Sequence, residues 1–430
     1  MKQLDLFPIT AKIEQDELTI AGCNVELLAD EFSTPLYIYD RVTLDSAIQS
    51  YKSALASFYG THASVTYAGK AYLCTAIAQW TQLHGLTLDC TGEGELAIAL
   101  AGNVKRENIL VHGVNKSEND LKSAIQHAGI IVVDNLKELE RIAKLFSTHS
   151  SLNLWLRLLP GVTVTTHHAH TQTGHQESKF GMTYEEILKA VEFCKENKLP
   201  LNGIHFHQGS NFRDPEPLIP AIELALDIAK EIGFQGKWHF SPGGGWGVAY
   251  HEDELPHPSI EHYVKGISEA VIEGCKQRKL TLPHLHLEPG RSLIARAGVA
   301  VYSVGAIKKR ENKTWVLVDG GMADNPRYAM YGARYSCLAV SGVTEERGEV
   351  ISVAGPYCES GDVIFEDVQM SNLKEGDLIA VPVSGAYHLS MSSNYNGARK
   401  PAVLMLEDGH AKLIQKRETV DDLLKRDLSL

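Results

Sequence analysis

Lys70, Asp89, Arg157, His207, Gly243, Gly244, Gly245 and Glu288 each stand at or just beyond the end of a short strand-like run in this 430-residue chain. In "VTYAGKAYLC" (65–74) the lysine follows a strand-like stretch and a glycine. An amine that has lost part of its hydration gives up its proton more easily and becomes a nucleophile toward carbonyls, forming a Schiff base. The run "SPGGGWG" (241–247) supplies backbone that can approach an anion closely with its N–H groups exposed. Its spacing fits neither G-x-G-x-x-G nor the P-loop, and glycine runs also serve as plain turns. Glu288, in "LEPGRS" (287–292), can face a protonated ring nitrogen, and Arg291 offers a fork for phosphate or carboxylate. A Schiff-base lysine, a phosphate cradle and an acidic partner for a pyridine nitrogen together describe pyridoxal phosphate binding. Each residue alone reads as solvated loop; the set is what carries the chemistry.

Such residues need a scaffold that brings strand ends together. Eight runs qualify as strands: "SVTYA" (64–68), "LTLDC" (86–90), "ILVHG" (109–113), "IIVVD" (130–134), "LNLWLR" (152–157), "GIHFH" (203–207), "KWHFS" (237–241) and "HLHLE" (284–288). Between them apolar residues recur every three or four positions, as in Ile187, Ala190, Val191 and Cys194, the mark of helices. Eight strand–helix units predict a (β/α)8 barrel over 36–288, whose active site would lie where the strands end. In such barrels phosphate sites commonly follow the seventh and eighth strands, and the glycine run follows the seventh. Beyond Glu288, strand-like segments broken by Gly, Pro and Asn predict a separate all-β C-terminal domain over 289–430. Residues 1–35 are also strand-like ("ELTIAG") and are expected to join it.

Composition narrows the function. Acidic residues outnumber basic ones, 53 to 41, with a formal charge of -12 and no basic cluster, which argues against a nucleic-acid partner. Seven scattered cysteines without a Cys-x-x-Cys pair argue against a disulfide framework or zinc ribbon and fit a reducing cytoplasm. No apolar run is long enough for a membrane helix, and "MKQLDLFPIT" is unlike a signal peptide.

At this level of detail the chain resembles the pyridoxal-phosphate-dependent decarboxylases with an alanine-racemase-like barrel. The resemblance spans roughly residues 30–405 and rests on "YAGKAYL", "DCTGEGEL", "VHGVNKS", "TGHQESKFGM", "IHFHQGSN", "LEPGRS", "DGGMADNPRYAMYGARY", "GPYCESGD" and "GAYHLSMSSNYNG". It implies Lys70 as the Schiff-base lysine, with Asp89, Arg157, Gly243, Gly244, Pro289 and Gly290 around the cofactor. His207 would stack on the pyridine ring, Ser210 and Gly245 would hold the phosphate, and Glu288 would face the ring nitrogen. Arg291 would lie beside phosphate and substrate, and Tyr387 would touch cofactor and substrate. Arg327, Tyr331 and Glu359 would bind substrate, and Cys358 would be the proton donor. A homodimer with shared active sites is implied, each β domain delivering Cys358 and Glu359 to its partner. In three places the sequence departs from the family's commoner residues: Gly69 where Val is more frequent, Tyr72 where Asn often stands, and "AYHLSM" (386–391) for Ala-Tyr-Gly-Tyr-Ser-Met.

The activity implied is decarboxylation of meso-2,6-diaminopimelate to L-lysine and carbon dioxide, because Cys-Glu-Ser (358–360) stands where ornithine-type relatives usually carry Cys-Asp. Decarboxylation of ornithine, arginine, lysine or a carboxylated polyamine, racemisation, and non-catalytic cofactor binding are the alternatives. A metal reading is open to His205 with His207, His284 with His286, and "HHAH" (167–170), since His-x-His on a strand puts both rings on one face. It is the weaker reading, because Asp89 alone does not complete a barrel hydrolase's ligand set.

Overall fold

Eight parallel strands close into one barrel in chain order: Ala63–Ala68, Thr87–Cys90, Ile109–Val111, Ile130–Val133, Asn153–Arg157, Leu201–His205, His239–Ser241 and His284–Leu287. The last pairs with the first, Leu285 opposite Ala63 and Leu287 opposite Val65. The computed structural model describes residues 2–146, 152–161, 174–175, 177–234, 236–346 and 348–430. The strands carry near-continuous apolar runs because both of their faces are covered. Inside the barrel Leu110, Ile130, Val132 and Trp155 form one buried cluster. Gly203 is there because a Cβ would collide with the Trp155 indole.

Helices Thr75–Leu83, Glu93–Ala101, Glu118–His127, Leu136–Leu145, Tyr184–Glu196, Ile219–Ile232 and Ile260–Arg278 follow the first seven strands. Side chains set several of their starts. Ser117 with Asp120, and Thr183 with Glu186, form reciprocal capping boxes, while Asn135 and Ser259 each accept the third N–H of their helix. Such a cap is worth about 1 kcal/mol. One charged pair is wholly inside this unit. Lys116 Nζ donates to Gly113 O at 2.8 Å, Val132 O at 2.7 Å and Glu138 Oε1 at 2.7 Å, so all three of its protons are placed.

The chain divides into two compact units, one of residues 48–247 and 258–292 holding the barrel, the other of residues 1–47, 248–257 and 293–430. In the second unit the strand order is Val363–Met370, Glu349–Ala354, Thr314–Val318, Gly298–Lys309, Leu36–Asp40, Ala402–Glu407, His410–Gln415, and Leu378–Val381 also pairs with Gly298–Lys309. A small sheet, Lys12–Glu14, Glu17–Ile20 and Cys23–Asn24, supplies Leu18 and Ile20 to the same core as Phe7, Ile38, Val299 and Leu404.

These limits correct the expected 36–288 and 289–430. Leu36–Asp40 is a central strand of the β unit, antiparallel to Gly298–Val301 and parallel to Ala402–Leu406. Every one of its residues is buried, so from sequence it reads like a barrel strand. Residues 248–257 also belong to the β unit, and 289–292 to the barrel unit. Among the described residues no helix is long and apolar enough to cross a membrane.

Candidate active site

In the barrel unit the first strand ends buried at Tyr67 and Ala68, and a single 3-10 turn, Gly69–Ala71, carries Lys70 outward. Gly69 is required by proximity: a Cβ would lie 2.7 Å from the Asp89 carbonyl. The Ala68 N–H donates to Pro289 O at 3.2 Å, and a Cβ on Gly290 would come within 3.1 Å of the Ala68 and Ala71 methyls. Pro289 and Gly290 thereby seat the "EPGR" turn against the lysine turn. The amine's expected loss of hydration is corrected here: Lys70 is exposed, because the turn lifts it beyond the buried strand end.

Two carboxylates stand at the ends of the second and eighth strands, on either side of the first strand, and their surroundings push them apart. Burial drives the Asp89 carboxyl well above its ordinary value, the Glu288 charge adds to this, and Lys70 and Arg157 oppose it. Asp89 Oδ1 is buried with no hydrogen-bond partner among the described residues. Burial would raise Glu288 too, yet His205, by charge and hydrogen bond, with the Ser241 hydroxyl and Lys70, brings it below the ordinary value. Its two oxygens are held at 3.1 Å by His205 Nε2 and at 2.6 Å by Ser241 Oγ. Those donors make Glu288 the ionised member of the pair.

Gly243 donates its N–H to Ser241 Oγ at 3.1 Å and Gly244 donates to His207 Nδ1 at 3.3 Å. The expectation of three N–H groups open to an anion is narrowed accordingly, since only Gly245 makes no such bond among the described residues. All three must be glycine for the loop to fit. A Cβ on Gly244 would strike the Glu288 carbonyl and one on Gly245 the Gly209 carbonyl, while Gly243 has φ 75°. Because His207 Nδ1 accepts, the ring proton lies on Nε2; burial, then the charges of Lys70 and Arg157, keep this imidazole neutral. Ser210 accepts from Arg291 Nη2 at 3.0 Å, so two residues named for the phosphate are joined. Arg157 is buried, 3.3 Å from Asp134 Oδ1 and stacked 4.4 Å over Phe180. Phe180 belongs to "TGHQESKFGM", of which Thr173 and Gln176 lie outside the described residues.

The β unit holds the other five residues. Arg327 opens the helix Arg327–Tyr331 with its guanidinium 4.2 Å over the Tyr250 ring and Nη1 donating to Tyr335 Oη at 2.6 Å. Tyr331, half-buried, ends that helix, and Gly332 caps it at φ 58°. Cys358 and Glu359 lie on an exposed turn fastened by Asp362, which accepts from the N–H of Met322 at 2.7 Å and of Tyr357 at 2.8 Å. The Cys358 N–H donates to Asn396 Oδ1 at 2.9 Å, and Glu359 Oε1 accepts from Ser360 Oγ at 3.2 Å. Cys358 is exposed; the other six cysteines are buried. Tyr387 is held in the left-handed region at φ 61°, which costs about 1–2 kcal/mol in a residue with a Cβ.

Sequence reasoning missed the partners of Glu288. The sequence offers His205 only as a metal ligand, and the structure makes it the last residue of its strand, two before His207. Ser241 ends the seventh strand just ahead of the glycine run, which was the signal available. Ligand atoms of His112, His205 and Glu288 do lie within 4.8 Å of one another. There the Glu288 oxygens are taken up by His205 and Ser241, which reads as a hydrogen-bonded cluster. His284 and His286 sit near the start of their strand, joined through Ser64 at 3.1 and 2.9 Å, with His286 Nε2 2.9 Å from His239 Nδ1. Burial lowers His239 to about 4, with the His284 charge adding. The "HHAH" run lies outside the described residues.

The barrel set fits pyridoxal phosphate. An exposed amine, an ionised buried carboxylate, a neutral imidazole, an unpartnered carboxyl oxygen and an Arg–Ser pair beside a glycine N–H match the aldehyde, ring nitrogen, ring face and phosphate.

Comparison with known proteins points the same way. Residues 42–295 match the family model for "Pyridoxal-dependent decarboxylase, pyridoxal binding domain". Diaminopimelate decarboxylase of Bacillus subtilis is 38% identical over 426 residues, covering 96% of this chain and 96% of the relative. That of Staphylococcus aureus is 36% identical, covering 97% and 100%. The crystal structure of diaminopimelate decarboxylase from M. jannaschii in co-complex with L-lysine matches with a TM-score of 0.89 and 31% identity, covering 98% of each chain.

Proposed function

The chain belongs to the pyridoxal-dependent decarboxylase family, and on that footing we propose that it decarboxylates meso-2,6-diaminopimelate to L-lysine. The observation that carries the reading is the Glu288 carboxylate, kept ionised in a buried site by His205 and Ser241 beside Lys70. When bound, the cofactor supplies a sink for the electron pair left at the α-carbon as carbon dioxide departs. Lys70 is the amine that tethers it. Glu288 keeps its ring nitrogen protonated, His207 lies on the ring face, and Asp89 and Arg157 stand at the rim. Ser210, Arg291 and the glycine loop of Gly243, Gly244 and Gly245 hold its phosphate, with Pro289 and Gly290 fixing Arg291 in place. Cys358 delivers a proton to the α-carbon, a task suited to a thiol, whose proton as a class leaves not far above neutrality.

The substrate carries a second amino-acid head. Arg327 takes its carboxylate, Glu359 its ammonium, and Tyr331 and Tyr387 line the rest. The working form is a cytoplasmic homodimer with shared active sites, in which Cys358 and Glu359 serve the partner's barrel; neither nucleic acid nor membrane is a partner.

Carbon dioxide release from diaminopimelate, lysine, ornithine and arginine tests the substrate. Only diaminopimelate offers a carboxylate at the far end, and losing that charge-assisted contact in a closed site costs about 2–5 kcal/mol, roughly 30-fold to several thousand-fold in selectivity. Arg327→Ala should erase most of that preference. Comparable wild-type efficiency on all four would refute diaminopimelate as the substrate.

A further inference from the structure

A buried chain of hydrogen bonds in the β unit runs from Arg327 to Asp324 through three side chains. Arg327 Nη1 donates to Tyr335 Oη at 2.6 Å, and Tyr335 Oη lies 2.8 Å from His388 Nε2. His388 Nδ1 lies 3.3 Å from Tyr37 Oη, which donates to Asp324 Oδ2 at 3.0 Å; Tyr302 donates to the same oxygen at 2.7 Å. All six residues are buried, His388 being 1% exposed.

The ends of the chain set its direction, because a guanidinium only donates and a carboxylate only accepts. Tyr335 Oη accepts from Arg327, which leaves its own proton available to His388 Nε2. The ring proton then lies on Nδ1 and goes to Tyr37, whose proton goes to Asp324. Burial pushes the Asp324 carboxyl up to about 6, against the Gly321 N–H and the two tyrosine hydroxyls, and these three donors fix it as the acceptor. One histidine tautomer, with Nε2 accepting and Nδ1 donating, satisfies each of these links.

We infer that His388 is a positioning residue for substrate selection: it holds Tyr335 as an acceptor toward Arg327 and so fixes the guanidinium that meets the far carboxylate. The inference rests on the reading of Arg327 as that carboxylate's anchor.

Decarboxylation leaves the far carboxylate in place. L-Lysine therefore carries the group that Arg327 reads, and 1,5-diaminopentane is the same chain without it. Calorimetric titration of the holoenzyme with each gives a Kd ratio that measures the worth of that carboxylate without turnover. His388→Leu and Tyr335→Phe should each lower the ratio about tenfold, as loss of a hydrogen bond to a charged group does. The double variant should go no further, since one chain is already broken. His388→Gln, whose amide oxygen can accept from Tyr335, should recover most of the ratio. An unchanged ratio in Arg327→Ala would overturn the anchor itself. Collapse in Arg327→Ala with an intact ratio in His388→Leu and Tyr335→Phe would overturn the role of His388 alone, and so would equal weakening of both ligands. If His388→Leu fails to fold, Tyr335→Phe, which removes one oxygen, decides.

Discussion

Ser241→Ala should make cofactor binding fail at a higher pH. The substitution removes the shorter of the two hydrogen bonds to Glu288, 2.6 Å against 3.1 Å from His205. Ser241 is fully buried and Glu288 nearly so, which keeps water from taking over the bond. A hydrogen bond to a buried charge is worth about 1.5–3 kcal/mol, or roughly a ten- to hundredfold rise in the proton affinity of Glu288. The sign follows from the lowered value in the native protein. What an ionised Glu288 contributes is present above the ordinary carboxyl range and lost as pH falls through the lowered one. In the variant that loss begins at higher pH. Equilibrium dialysis of pyridoxal phosphate, from mildly alkaline to mildly acidic pH, should show the variant's Kd climbing while the wild type's holds. Ser241 also accepts the Gly243 N–H, and losing that bond adds an offset independent of pH, so the diagnostic is the slope. Parallel curves would refute the account of Glu288.

Borohydride reduction should fix the cofactor to Lys70, and Lys70→Ala should abolish the link; an adduct found by peptide mapping on another lysine would refute the assignment. Lys116→Met strands the Glu138 carboxylate in the interior and should destabilise the barrel unit by about 3–5 kcal/mol, while adding Glu138→Leu should restore most of it. Thermal unfolding measures both, and a double variant as unstable as the single would show that the pair is not what fails.

Much of the barrel was legible because its strands are short apolar runs separated by helical periodicity, and a barrel needs only that order to be recognised. The limits of the units were less so. Leu36–Asp40 is buried throughout, as a barrel strand is, and neither of its strand partners lies nearby in the chain, so nothing local assigns it to the β unit. The proposed site residues on strand ends or in local motifs can be picked out of the sequence because their neighbours mark them. His205 could not, since its partner Glu288 lies 83 residues away. The Tyr37–His388 contact spans 351 residues and joins polar side chains whose spacing carries no pattern. That Lys70 lies just past a strand could be read, but not its exposure, which depends on how the turn after the strand leaves the barrel.

Leu36–Asp40 also imposes an order in time. Its partners are Gly298–Lys309 on one side and Ala402–Glu407 on the other. A ribosome adding about 5–20 residues per second reaches the second of these roughly 20–70 s after Asp40 has been joined. For that interval "LYIYD" is a nascent strand with at least one unclaimed edge and an incomplete core, the kind of segment that other chains can capture. The β unit therefore cannot close until synthesis is nearly over, however early the barrel forms.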